Sequence, residues 1–177
     1  VPTDMLVDAS TADKTIVIKV NWTVASYTIT LNGNGATTNS NPTSVKATYN
    51  SSTLNPSSIT LPKQEYTVSY NANDTGITMP SSSTVSSTFN GWYTATSNGN
   101  LVLSKATSPV LQASVDGYTD ANNKWIRTSG AILYAQWTKG TVTLPSISKN
   151  GYSCKWAEGS ATGTEYAAGV SRTISAD

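Results

Sequence analysis

Phe89-Asn-Gly-Trp-Tyr-Thr94 and, some forty residues on, Leu133-Tyr-Ala-Gln-Trp137 are the two stretches that most restrict how this chain folds. Each sets large aromatic side chains among Ser, Thr, Asn and Gly, with almost no charge nearby. Aromatic side chains bury large areas and favour pleated, half-buried surfaces, so both blocks are expected to be core strands of a small β-domain. Other large apolar residues are thinly scattered. Trp92, Tyr93, Leu133, Tyr134 and Trp137 must therefore supply much of the core.

The surrounding composition narrows the class further. Ser, Thr and Asn make up about 38% of the chain, and helix-forming runs of Ala, Leu, Glu and Lys are missing. Thr favours strands, while Ser and Asn favour turns, so a helical bundle is excluded and a mainly β fold is expected. Charged residues are 12% of the chain, about half the usual share, and the net charge is +1. Lys and Arg are spread singly rather than along a stripe, which removes the driving force for nucleic-acid binding. No apolar run approaches the length of a membrane span, so no membrane insertion is expected. The balance is that of a secreted or surface-displayed β-protein.

Read in order, the chain alternates short strands and turn signals at intervals near ten residues, the pattern of a β-dominated domain. Thr15 to Trp22 alternates Ile16, Ile18, Val20 and Trp22 on one face, an expected strand with Trp22 in the core. Tyr27 to Leu31 repeats the alternation and ends in Asn32-Gly-Asn-Gly-Ala36, a tight-turn signal. Val45 to Tyr49 and Tyr66 to Tyr70 are further alternating strands, whereas Asn50 to Ser58, with Asn55-Pro56, reads as a loop. Ile59-Thr-Leu-Pro62 reads as an edge segment, because Pro cannot donate to a ladder. Leu101 to Leu103 and Val110 to Val115 are short apolar runs, and 101–115 is the one stretch where a short helix is admissible.

The two ends of the chain echo its middle. Val142-Thr-Leu-Pro145 matches Ile59-Thr-Leu-Pro62, and Lys149-Asn-Gly-Tyr-Ser-Cys-Lys-Trp156 matches Phe89-Asn-Gly-Trp92. The strand ending at Trp22 shares its design with the one ending at Trp137. Residues 1–25 are therefore expected to close a preceding unit or form an N-terminal strand. Residues 26–138 form one long unit, and residues 139–177 open a following one. Repetition at this scale implies that each unit contacts its neighbours in an array.

Gly91-Trp-Tyr-Thr94 followed by Leu133-Tyr-Ala-Gln-Trp137, with Asn32-Gly-Asn-Gly after an opening strand, resembles the Listeria–Bacteroides repeat, the internalin-type B repeat of bacterial surface proteins. The unit here is longer than is usual in that family, with added passages at 66–87 and 101–127. Cys154-Lys155 also stands where an aromatic-Gly pair is expected before Trp156. The resemblance implies small β-grasp-like units in tandem on the bacterial cell surface, acting as stalk, spacer or adhesion module. It implies no catalytic residues and no cofactor. The partners it implies are adjacent repeats of the same chain and a protein or glycan of a host or neighbouring cell.

Read for chemistry, the residues point the same way. The chain has no His and one Cys, Cys154, so Ser-His-Asp and Cys-His pairs and the usual zinc sites cannot be assembled from it. Cys154 reads as a small core residue or as the partner of a cysteine elsewhere. Asp116-Gly-Tyr-Thr-Asp120-Ala-Asn122 collects oxygens in one loop but lacks EF-hand spacing, so solvated carboxylates or Asx turns are the plainer reading and no metal is assigned. Tyr118 and Trp125 flank that loop. If accessible, they would offer ring faces for a sugar or a protein, with Asp116 and Asp120 beside them. Carbohydrate or protein binding on this inserted loop is thus the alternative to a purely structural role.

Overall fold

The computed structural model describes residues 19–73 and 76–174. It is a mainly β protein, with no helix among the described residues. In chain order the strands are β1 (Ser26–Asn32), β2 (Ser44–Thr48), β3 (Leu54–Asn55), β4 (Glu65–Val68), β5 (Ser83–Ser86) and β6 (Thr88–Tyr93). They continue with β7 (Leu101–Leu103), β8 (Ala131–Thr138), β9 (Thr141–Thr143), β10 (Trp156–Ala157), β11 (Glu165–Tyr166) and β12 (Ser171–Thr173).

One six-stranded sheet, in the order β3-β2-β1-β8-β6-β7, carries the core. All its neighbours are antiparallel except the central pair, β1 and β8, which run parallel from Ile29↔Ala131 to Asn32↔Tyr134. The first and last strands of the sheet in chain order thus form its parallel central pair, each flanked by an antiparallel neighbour. The alternation read from the sequence sets which face is dry. Ile29, Leu31, Val45, Ala47, Leu133 and Ala135 point to the inner face and are buried, while Thr28, Thr30, Lys46 and Ile132 face out.

Irregular chain closes the inner face. Ile59, Leu111, Val115 and Trp125 pack from loops onto the sheet as a second layer. Backbone bonds hold that layer: Asn50 N–H donates to the Trp125 carbonyl at 2.8 Å, and Trp125 N–H donates to Ser51 at 2.9 Å. Ile59 N–H donates to Thr107 at 2.7 Å. The Val110–Val115 run, within the stretch where a short helix is admissible, forms no helix and makes a single bridge at Leu111. The Thr119 hydroxyl takes the Val115 N–H at 3.1 Å and donates to the Gln112 carbonyl at 2.6 Å, so local side-chain bonds replace a ladder there. The short β3 lies in what reads as a loop; Leu54 is buried and pairs opposite Ala47.

Both aromatic blocks sit in this sheet as register partners. Phe89 lies opposite Trp137, Trp92 opposite Ala135 and Tyr93 opposite Tyr134, with Asn90 bulged out between Phe89 and Gly91. The bulge explains the glycine. Gly91 has φ +123°, and a Cβ there would sit 2.5 Å from Leu101 Cδ1 and 2.9 Å from the Leu103 carbonyl oxygen, so only glycine lets β7 close against β6. Trp92 and Leu133 are fully buried, and Phe89 stacks against Trp92 and Trp137 with ring centroids 5.2 and 5.5 Å away. Tyr93 and Tyr134 lie on the outer face and are half-buried.

Trp22 is placed differently from expectation. It is 87% exposed and belongs to no strand. No described strand runs beside it, and residues 15–18 of the strand expected to carry it lie outside the described residues.

Three two-stranded sheets stand apart from the main one. β4 and β5 form an antiparallel hairpin inserted between β3 and β6. After β8, β9 pairs with β12 and β10 with β11. Close contact joins the two groups at Gly140, where a Cβ would collide with the Ser86 carbonyl oxygen and with Val85.

Candidate functional site

The loop singled out in the sequence is built as a closure of the core. Trp125, a contact candidate only if accessible, is fully buried, with both backbone groups bonded to the β2–β3 turn. Tyr118 packs edge-on against Trp125, with centroids 5.9 Å apart, and is half-buried under the Arg127 guanidinium, 5.0 Å from its ring. Trp125 lies in the core and Tyr118 is half-buried with Arg127 over its ring, so the accessibility that ring stacking by the pair requires is missing at Trp125.

Asp120 is an organiser of the same loop. Its Oδ1 accepts the backbone N–H of Lys124 at 2.8 Å and of Asn122 at 2.9 Å, an Asx turn closed over four residues. The Lys124 N–H bond, above all, holds its carboxyl below the ordinary value of 3.8; desolvation is the next-largest effect and opposes it, and the Asn122 N–H and the Lys124 charge add to the lowering. Asp116 is exposed at the loop tip, beside Gly117 at φ +69°. Among the described residues no three carboxylate, Cys or His side chains converge as metal ligands.

A cleft elsewhere has more of the character of a binding site. The end of the β4–β5 hairpin leans over β9, β10 and β12, enclosing a cavity of about 230 Å³ lined by Tyr70, Leu144, Trp156, Tyr166 and Arg172. Tyr70 and Trp156 meet with centroids 5.1 Å apart and planes tilted by 54°. The Trp156 indole N–H donates to the Pro145 carbonyl at 2.8 Å, which fixes the ring. On the other wall the Arg172 guanidinium lies 4.1 Å from the Tyr166 ring centroid. It also pairs with Glu158 at 3.1 Å. The Tyr166 hydroxyl donates to the same carboxylate at 3.3 Å.

Aromatic faces beside a paired Arg and carboxylate can stack on the apolar face of a sugar or clasp a partner side chain, with donors and acceptors at the rim. A wider recess on the far side of Tyr70 and Trp156 is lined by Ile77, Met79 and Cys154, whose thiol is free and half-buried. Of the aromatic motif residues, Trp156 alone belongs to the cleft. Tyr70 is signalled by its place on the Tyr66, Val68, Tyr70 face, but Tyr166 and Arg172 carry no motif in the sequence.

No family model matches the chain, and no curated protein and no solved structure matches it.

Proposed function

We propose that this chain is a non-catalytic extracellular segment of a bacterial surface or secreted protein, built of tandem β-units and acting as a stalk, spacer or adhesion module. The observation that carries the proposal is the shared register of the two aromatic blocks. Trp92 and Leu133, with Phe89 and Trp137 packed against them, join in one core, as a unit that must fold beside its copies requires. The contact of Tyr70 with Trp156 supports the tandem arrangement, because it joins the long unit to the segment that echoes it. The charge-poor Ser, Thr and Asn surface suits display outside the cell. The family resemblance of the aromatic blocks belongs to this same proposal.

A second role is favoured by one feature, the cleft of Tyr70, Trp156, Tyr166 and Arg172. There the segment would bind a glycan or a surface protein of a host or neighbouring cell. A glycan array probed with the purified chain separates the two. A folded chain that saturates on no glycan is the result expected of a spacer. Saturable binding that Trp156→Ala abolishes, with the main urea transition unchanged, would replace the spacer role with recognition at the cleft.

A further inference from the structure

We propose that the β1–β8 seam is a shear clamp that carries tension passing along the chain. The proposal deepens the stalk reading and takes its biological setting from it. β1 and β8 are the first and last strands of the six-stranded sheet, yet they lie side by side at its centre and run parallel. In a parallel pair the start of β1 and the end of β8 fall at opposite ends of the shared ladder. Tension entering before Ser26 and leaving after Thr138 therefore slides one strand along the other. Every cross-strand bond from Ile29↔Ala131 to Asn32↔Tyr134 is loaded together. An edge strand pulled sideways would instead lose its bonds one at a time.

The seam is reinforced past the end of β1. The Asn34 amide donates to the Ala135 carbonyl at 2.8 Å and to Thr96 at 2.9 Å. The Trp137 indole N–H donates to the carbonyls of Gly33 and Asn34 at 3.1 and 3.2 Å. Both side chains thus bind the β1 turn to β8, across the direction of sliding. Asn34 stands at φ 46°, in the left-handed region that asparagine tolerates better than most residues. Leu31 and Leu133, paired across the seam, are buried, which keeps water from competing for the bonds between them. β1 is backed by β2 and β8 by β6, so sliding at the seam is the event that splits the sheet into halves.

Single-molecule force spectroscopy tests this on the full chain, held at its two ends in a Cys154→Ser background. The expected trace has one dominant rupture that releases chain approaching the roughly 400 Å that residues 26–138 span when extended. Its force should be several-fold higher than when the same protein is pulled by cysteines placed at Asn55, in edge strand β3, and at Lys105, just past the opposite edge strand β7. Trp137→Phe, which keeps a ring on Phe89 but removes the donor, should lower the end-to-end force and leave the edge-to-edge force unchanged. Asn34→Gly, which keeps the backbone freedom, should do the same. An end-to-end force no higher than the edge-to-edge force would overturn the proposal. So would variants that weaken both pulls equally, because Asn34 and Trp137 would then act on general stability. A weak seam would still leave a passive spacer, and glycan binding would remove the spacer role without touching the seam's strength, so the two ideas fail separately.

Discussion

The tripeptides Asn90-Gly91-Trp92 and Asn150-Gly151-Tyr152 open two copies of one pattern and meet opposite fates. Trp92 is fully buried, whereas Tyr152 is 69% exposed. Gly91 is hemmed in by β7, while a Cβ on Gly151 would meet nothing within 4 Å. The difference is in the company each keeps. Trp92 lies on a strand flanked by both β7 and β8, and the loop layer closes over it. Tyr152 has only a bridge to Lys149, whose ammonium sits 4.6 Å from its ring. Trp156 further on pairs with a single strand, through Tyr166. A motif of this kind states what a strand is able to bury. Neighbouring strands decide whether it is buried.

The largest effect should come from Trp92→Ala. Truncating a fully buried Trp costs about 3–5 kcal/mol, a large fraction of the stability of a domain this size. The main urea midpoint should fall steeply, whereas Trp156→Ala should leave it nearly in place, because Trp156 packs outside the six-stranded core. Equal losses in the two variants would erase the contrast and make the two regions one cooperative unit.

The glycines give the next effect. Gly91→Ala forces a Cβ into Leu101 and the Leu103 carbonyl at a backbone angle that L-residues avoid, and should cost about 2–4 kcal/mol. Gly151→Ala, at φ +79° in open space, carries only the left-handed strain of about 1 kcal/mol. Thermal melts of the pair measure the gap between them. If Gly91→Ala proved as mild as Gly151→Ala, the bulge would not be the reason for the glycine.

How far the sequence reached follows the same division. Period-two alternation marks β1, β2 and β4, and the concentration of aromatic residues marks β6 and β8. β3 escapes because two residues before a proline carry no periodicity, and its place is set by Ala47 across the ladder. Trp125 carries no local mark of burial, because its sequence neighbours are polar; its burial comes from the β2–β3 turn, some seventy residues away. Trp22 reads as core from an alternation whose partner strand is not among the described residues. Tyr166 and Arg172 join the cleft through the β9–β12 and β10–β11 pairings, which no local pattern announces. Local pattern gives the strand and its dry face, and long-range pairing gives the site.

The smallest effect tests the loop that is chemically suggestive but structurally committed. Asp120 bonds two backbone N–H groups, and its folded pKa lies below 3.8. The ionised carboxylate is therefore favoured by folding, and its contribution is complete above the unfolded value and lost as pH falls through the folded one. Asp120→Asn keeps an oxygen for the Asx turn and removes the charge. At neutral pH it should melt slightly below wild type. The difference should hold down to about pH 4 and then close as acid protonates the wild-type carboxyl below 3.8. Because the side chain still reaches solvent, the Lys124 share should weaken in salt, while the part due to the two N–H bonds persists. Melting temperatures of both proteins across the acid range read this directly. A gap that stays constant far below pH 3.8 would mean that the charge of Asp120 does not hold the loop.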